Sequence, residues 1–332
     1  MKLRRRDFLK LSASSGLLLA ASPESALARA EKKALPPEAV GILYDSTLCV
    51  GCQACMVGCK TANKMPIESQ DPQKRWDDPL DLSASTLNII KRYADGTAAV
   101  KDREQDGYAF IKRQCMHCID PSCVSACPVS ALRKDARSGV VTYDKDACIG
   151  CRYCQIACPF DIPKFQWAST TPEIVKCQLC QHLLKDGKIA ACCAACPTGA
   201  SLFGPVEDLR AEAKRRLKLE PGSYADFPLQ RIGGRAEPQT TSRQVGHYLE
   251  HIYGENEVGG TQVLLMAGVP FTKLGLPDLP DEAFVRLADG IQYAIYKGMA
   301  YPLVVLGALI YMIRKGENNN HGGDHKEQGD GK

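Results

Sequence analysis

Residues 148–159 read Cys148-Ile149-Gly150-Cys151-Arg152-Tyr153-Cys154-Gln155-Ile156-Ala157-Cys158-Pro159, a C-x2-C-x2-C-x3-C-P run. Cysteines at i, i+3 and i+6 on a tight loop turn three sulfurs into one concavity. The fourth follows as the chain enters a helix, which is the bacterial-ferredoxin arrangement for a [4Fe–4S] cluster. The proline restricts Cys158 to extended backbone and turns the chain away. The same spacing recurs in CVGCQACMVGC, with Cys49, Cys52, Cys55 and Cys59. Cys115, Cys118, Cys123 and Cys127 lie in CMHCIDPSCVSACP, whose middle gap is two residues wider. Cys177, Cys180, Cys192 and Cys196 form a fourth set with a long gap before the last pair. Sixteen of the seventeen cysteines therefore fall into four quartets, as four [4Fe–4S] clusters require.

Two other chemistries use many cysteines. A disulfide framework suits an exported chain, but cysteines three apart in one loop favour a shared metal centre, and the total is odd. Zinc ribbons keep their C-x2-C pairs well apart, whereas here two or three pairs crowd into a dozen residues ahead of a proline. Cys192 and Cys193 are adjacent, and one is surplus. Cys192 preserves the C-x3-C step into Cys196, so Cys193 is read as a small buried hydrophobe.

Both ends of the chain carry addresses. Residues 4–10, RRRDFLK, contain a twin-arginine export pattern, followed by an apolar stretch from Leu11 to Ala21 and an A-x-A cleavage site at Ala26-Leu27-Ala28. Residues 1–28 are read as a signal peptide, with cleavage after Ala30 as the alternative. The twin-arginine route carries folded proteins, so clusters can be buried in the reducing cytoplasm before an oxidising compartment meets their ligands. Residues 291–313 read IQYAIYKGMAYPLVVLGALIYMI. At about 1.5 Å per residue they reach roughly 34 Å, enough for a transmembrane helix. Lys297 can snorkel, Tyr293, Tyr296 and Tyr301 suit an interface, and Arg314-Lys315 predicts a cytoplasmic C-terminal side. The polar tail 314–332, with His321 and His325, reads as solvated.

Composition fits a folded protein with terminal extensions: 45% of residues are hydrophobic and 24% charged. A net charge of +4 with no basic run interleaved with aromatics gives nucleic-acid binding no support. The expected fold is α+β: a doubled bacterial-ferredoxin core over residues 40–204, with a small β insertion at 60–114. Gly41–Asp45 and Gly139–Asp144 read as strands leading into cluster loops. Asn88–Tyr93 and Ala109–Lys112 flank an insertion with an Asp95-Gly96 turn and read as a β-hairpin or small sheet. Pro205–Leu219 reads as a helix with acidic residues first and Lys214, Arg215, Arg216 and Lys218 last, an order matching the macrodipole. That basic cluster is taken as a solvated helix end. Residues 205–290 form a periplasmic extension, and 222–288 are expected to be irregular.

Taken together, LYDSTLCVGCQAC, CMHCIDPSCVSACPVSAL, YDKDACIGCRYC, GGTQVL and YKGM, in this order between an export signal and a C-terminal span, resemble the iron–sulfur subunits of membrane respiratory enzymes. That group includes the β subunits of formate dehydrogenases and molybdopterin reductases. The joint presence of signal and anchor makes the chain most similar to the ferredoxin-type subunits of periplasmic nickel–iron hydrogenases. The resemblance implies a non-catalytic electron-transfer subunit on the periplasmic side of the inner membrane. Its implied partners are hydrogenase small and large subunits and an integral membrane subunit that reacts with quinone. It also implies that quartet one faces the catalytic side and quartet three the membrane. No acid/base pair, nucleophile or phosphate loop stands out, so no catalytic residue is assigned. Arg152, between Cys151 and Cys154, is expected to favour the reduced state of its cluster. Two-cluster ferredoxins exchange fourth cysteines, so quartet one is expected to pair with four and two with three.

Overall fold

The computed structural model describes residues 33–67, 79–234, 238–285 and 302–314. Lys32–Val285 form one compact unit. It opens with β1 (Val40–Asp45), the first cysteine loop and α1 (Ala54–Ala62). Next come β2 (Asn88–Ala94), β3 (Val100–Lys101) and β4 (Gly107–Gln114). The inner part holds α2 (Ser122–Ser125), β5 (Leu132–Lys134), β6 (Val141–Tyr143), α3 (Tyr153–Ala157), β7 (Lys164–Phe165) and β8 (Ile174–Val175). The chain then returns through α4 (Gln181–Lys185), α5 (Ala191–Ala194), β9 (Ser201–Pro205) and α6 (Val206–Leu217). It ends in β10 (Tyr224–Pro228), β11 (Thr240–Gln244) and β12 (Val263–Met266).

A central sheet in the order β12-β1-β9 joins the beginning, middle and end of this unit. β1 lies antiparallel to β9, with Ile42 opposite Phe203, and parallel to β12, with Ile42 opposite Val263. Side chains alternate across the sheet. Leu43, Leu202, Leu264 and Met266 pack with Leu209 and Ala213 of α6. Ile42, Tyr44, Phe203, Val263 and Leu265 face the larger core that also holds Cys49, Cys55, Cys59, Cys192 and Cys196. With both faces covered, the strands are apolar throughout. Gly41 has no alternative, because a Cβ there would stand 1.9 Å from the carbonyl oxygen of Gln262.

The cysteine-bearing helices pack in two pairs, α1 with α5 and α2 with α3. Gly58 permits the first approach: a Cβ there would meet the Ala195 Cβ at 2.8 Å. β5 and β6 form an antiparallel pair between quartets two and three. Gln262 ties that inner half to the central sheet. Its Nε2 donates to the carbonyls of Val40 and Ser138 at 2.7 and 2.8 Å, while its Oε1 accepts from Lys134 at 2.8 Å.

The predicted hairpin is present, with Asn88 opposite Gln114 and a turn closed by Ala98 N–H donating to Asp95 O. β3 adds a short strand parallel to β4. Two readings of the C-terminal half change. Residues 222–288 are not irregular throughout, since they supply the β10–β11 hairpin and β12, an edge of the central sheet. The basic end of α6 is only partly solvated, because Arg216 is fully buried. Its guanidinium donates to Asp45 and Glu212, each at 2.8 Å, and lies over the Phe227 ring at 5.1 Å. Asp45 also accepts from the hydroxyls of Tyr248 and Thr47 at 2.8 and 2.7 Å.

The expected signal peptide at 1–28 lies outside the described residues, as do 291–301 of the expected span. Residues 302–314 form a helix with exposed Leu303, Val304, Leu306 and Ile313. The thirteen helical residues described there cover about 20 Å of the roughly 30 Å of hydrocarbon. Among the described residues, no helix is long and apolar enough to cross a membrane.

Candidate metal centres

All seventeen cysteines are free thiols, so no disulfide framework exists. Cys49, Cys55, Cys59, Cys115, Cys123, Cys154, Cys177, Cys180, Cys192, Cys193 and Cys196 are buried. Cys118, Cys127, Cys148, Cys151 and Cys158 are half-buried, and Cys52 is exposed.

Each loop is bent in the same way at its start. The second residue after the first cysteine has positive φ in every quartet: Gly51, His117, Gly150 and Leu179 at 66°, 47°, 71° and 51°. This bend turns backbone N–H groups back onto sulfur. Gly51, Gly150 and Leu179 each donate to the cysteine two residues earlier, at 3.4 Å. Glycine adopts this conformation freely in CVGC and CIGC, whereas His117 and Leu179 hold it at a cost in strain. Further donors reach sulfur later in the quartets: Ala131 N–H to Cys127 at 3.2 Å, Ser201 N–H to Cys196 at 3.4 Å and the Asn63 amide to Cys59 at 3.6 Å. Hydrogen bonds to sulfur are among the levers that set cluster potentials.

The charges acting on each thiol come from across the quartets. Burial raises Cys49, and Cys196 adds to it. Burial pushes Cys59 up to about 12, with Cys192 and Cys180 as its charged neighbours. Cys158, pushed to about 11 by burial, is next raised by Cys115, although hydrogen bonds from backbone N–H groups oppose both effects. Burial raises Cys154 to about 11, and its first neighbour is Cys127, ahead of Cys148 and Cys151. The fourth cysteine of each run thus acts on the loop cysteines of another quartet. Quartet one lies beside four and two beside three, as do the packed helix pairs.

A buried set of thiols resists ionisation, while metal ligation requires thiolates, so a bound metal group would have to supply the compensating charge. Among the described residues, no three His, Cys, Asp or Glu side chains converge closely enough to hold one ion. A single zinc ion would draw its thiolates to about 2.3 Å. A cubane bonds each thiolate to a different iron, so its ligands surround it without touching. Two buried donors, Gln114 Nε2 and His117 Nε2, have no hydrogen-bond partner among the described residues and could donate to such a group, and the amide oxygens of Asn88 and Gln114 are likewise unpartnered. Gln114 and His117 stand on either side of Cys115 in the sequence, and Asn88 Nδ2 donates to Cys55 O at 3.4 Å. His117 Nδ1 accepts from Val141 N–H at 3.1 Å, which places the ring proton on Nε2.

Cys192 and Cys193 differ in environment. Cys192 is lowered to about 5, first by a hydrogen bond from Cys193 and then, against burial, by Lys112. Its charge acts on Cys59, Cys177 and Cys180. Cys193 is fully buried, and burial followed by its hydrogen bond to Cys192 holds it neutral. Arg152 makes no ion pair among the described residues. It lies over the rings of Trp167 and Phe165 at 4.9 and 5.4 Å, beside exposed Ile149, Tyr153 and Ile156.

Sequence reasoning missed three buried lysines, Lys60, Lys112 and Lys176, and the half-buried Lys134. Lys60 donates to Pro66 O, Ser85 O and Thr86 Oγ1. Lys134 donates to Cys118 O and Gly139 O, and Lys176 to Val141 O and Cys177 O. Lys112 stands apart: its ammonium donates to Ser201 Oγ at 3.3 Å. Only its position three residues before Cys115 pointed to it, because a lysine at a strand position otherwise reads as exposed.

Comparison with known proteins matches this arrangement. The family described as the 4Fe-4S dicluster domain matches residues 106–206. The chain is 45% identical over 331 residues to the hydrogenase-2 operon protein HybA of Escherichia coli O157:H7, covering 98% of this chain and 100% of that protein. It is 30% identical over 313 residues to the formate dehydrogenase-O iron-sulfur subunit of Escherichia coli K12, covering 92% of this chain and 88% of that protein. With protein NrfC of the same strain it shares 33% identity over 218 residues, 65% of this chain and 86% of that one. Full-length identity of this order, over a core built from cysteine loops, means that the chain belongs to the HybA family of iron–sulfur proteins.

Proposed function

We propose that this protein is the electron-transfer subunit of a membrane-bound hydrogenase, a non-catalytic relay between a hydrogen-oxidising enzyme and a quinone-reactive membrane subunit. The observation that carries the reading is the 45% identity to HybA over nearly the whole chain, supported by the nearness of cysteines from runs one and four and from runs two and three. Four sites are proposed. Cys49, Cys52, Cys55 and Cys196 form one, and Cys59, Cys177, Cys180 and Cys192 its neighbour. Cys115, Cys118, Cys123 and Cys158 form a third, and Cys127, Cys148, Cys151 and Cys154 the fourth. Bound there, [4Fe–4S] clusters would supply one-electron acceptors in series. The chain's own residues hold the thiolates, exclude water and set the local charge.

Iron and acid-labile sulfide are each expected at about sixteen per chain, four for each quartet. Metal analysis of anaerobically purified protein checks this; zinc in place of iron, or half the iron, would defeat the assignment. Copurification with hydrogenase large and small subunits in mild detergent separates this reading from a formate dehydrogenase subunit, to which the chain is 30% identical. A structural tether would carry no cluster reducible by hydrogen.

The proposed topology is export by the twin-arginine signal at 1–28, a periplasmic body, one crossing through 291–313 and a cytoplasmic tail at 314–332. A reporter active only in the cytoplasm, fused after Lys332, is expected to be active. Replacing Arg5 and Arg6 with lysine is expected to abolish export. Periplasmic activity of the C-terminal reporter would rule out the single crossing.

A further inference from the structure

The chain leaves quartet four through Cys196-Pro197-Thr198-Gly199-Ala200 and enters β9 at Ser201. Thr198 is buried, with 5% of its surface exposed. Its Oγ1 lies 3.7 Å from Cys196 Sγ and 3.4 Å from Ala200 N. A backbone amide nitrogen can only donate, so the hydroxyl oxygen accepts from Ala200 and its own proton is left for sulfur. A ligated cysteine is a thiolate with no proton to give, which fixes the direction in a loaded site: Thr198 donates and Cys196 accepts. Ser201 N–H brings a second donor to the same sulfur at 3.4 Å. The turn that carries Thr198 has little freedom to drift. Gly199 has φ 76°, and a Cβ there would stand 2.7 Å from the carbonyl oxygen of Pro228. Ala200 O accepts from Asp45 N–H at 2.8 Å, which ties the turn to the end of β1. At the neighbouring proposed site Asn63 makes a comparable side-chain contact, its Nδ2 lying 3.6 Å from Cys59 Sγ.

We propose that Thr198 is a positioning residue whose hydroxyl, donating to the Cys196 sulfur, raises the reduction potential of the cluster that Cys196 ligates. Each reduction adds one electron, and so one negative charge, to a cluster with its thiolates. No bond breaks and no proton moves. Part of the added charge falls on the sulfurs, and a hydrogen bond strengthens as its acceptor becomes more negative. A donor held against one ligand therefore stabilises the reduced state more than the oxidised one. The low local dielectric of a buried site magnifies the difference, and a side chain this little exposed leaves no room for water to replace the missing donor.

The inference rests on the proposal that Cys196 ligates a cluster, which iron and sulfide analysis of the unaltered protein tests separately. The experiment is a potentiometric titration of the intact complex with dithionite as reductant, followed by the paramagnetic signals of its clusters. The signal that belongs to Cys196 is the one disturbed in Cys196→Ser, whichever other cysteines share that cluster. In Thr198→Val, close in shape but without the hydroxyl, the reduced-to-oxidised ratio of that cluster at fixed poise is expected to fall at least about threefold, roughly 28 mV for one electron at about 59 mV per decade. Thr198→Ser keeps the hydroxyl and should keep the native potential. The signal disturbed in Cys59→Ser, whose sulfur has its own donor in Asn63, should stay in place and serves as the internal measure of correct folding. An unchanged potential in Thr198→Val at full iron content would overturn the inference, as would equal shifts in the valine and serine variants or in all four clusters. If Thr198→Val loses iron, Thr198→Ala is titrated in its place, with the same fall expected. Loss of iron there as well would mean that the hydroxyl holds the turn rather than sets the potential, and the inference would be wrong.

Discussion

Serine at position 158 is expected to disturb the cluster held by Cys115, Cys118 and Cys123 rather than the one whose loop contains Cys158. The reason lies in α3. Cys154 stands near its start and Cys158 caps its end with extended backbone, at φ −80° and ψ 114°. Four residues of helix at about 1.5 Å each carry the fourth sulfur roughly 6 Å along the axis, away from its own loop. There it meets the thiols of quartet two: Cys118 and Cys123 both feel Cys158, and Cys158 in turn feels Cys115. Cys154 instead has Cys127 as its foremost charged neighbour. A weaker serine ligand should therefore alter or abolish the signal of the 115/118/123 site, at a loss of up to about a quarter of the iron. The signal removed by Cys151→Ser should persist. A change confined to that second signal would mean that each quartet holds its own cluster, and the reciprocal arrangement would be wrong.

Arg216→Ala is expected to be the most destabilising change outside the cysteines. Arg216 and Asp45 are both fully buried, and Glu212 nearly so. Removing the guanidinium strands Asp45 as an uncompensated buried charge and leaves Glu212 to Arg215 alone, a mechanism that costs about 3–5 kcal/mol. It also strips the contact with Phe227 and unties α6 from β1. Cluster proteins unfold irreversibly once the metal is lost, so the comparison is of unfolding rates or of midpoints at one scan rate. Arg216→Ala combined with Asp45→Asn should recover part of the loss, because the stranded charge is gone. A midpoint within a degree of the unaltered protein would refute the account. The same network predicts acid sensitivity. Burial would raise Glu212, but its hydrogen bonds with Arg215 and the charge of Arg216 overcome this and hold it below its ordinary 4.5. A depressed carboxylate contributes stability that is present above the unfolded value and lost as pH falls through the native one. The loss should therefore appear below about pH 4.5 and be reduced in Glu212→Gln.

Much of the site was legible because cluster ligation is local. Three cysteines of quartets one, two and three, and two of quartet four, lie within one loop, and the chemistry that needs them sets their spacing, so the ligand sets could be listed without a fold. The glycines of CVGC and CIGC fit the same loops, because a positive φ there turns an N–H onto sulfur. The strand before quartet one, the hairpin of β2 and β4 and the helix at 206–217 were also readable, since period, turn and charge order are encoded within a dozen residues.

Long-range relations were not legible. β12, VLLM, is a short apolar run that any environment could accept, and only its hydrogen bonds to β1, more than two hundred residues away in sequence, make it a sheet edge. Arg216 looked like the last of a row of solvated bases at a helix end. Its buried role depends on Asp45, 171 residues distant, which the fold alone brings to 2.8 Å. Lys112 likewise resembles any polar residue in an alternating strand until the fold brings Ser201 to its ammonium. Ligand identity is thus written in sequence because each loop solves its own geometry. Which buried charges find which partners is a property of elements that meet only after the chain has folded, and so the tertiary structure decides it.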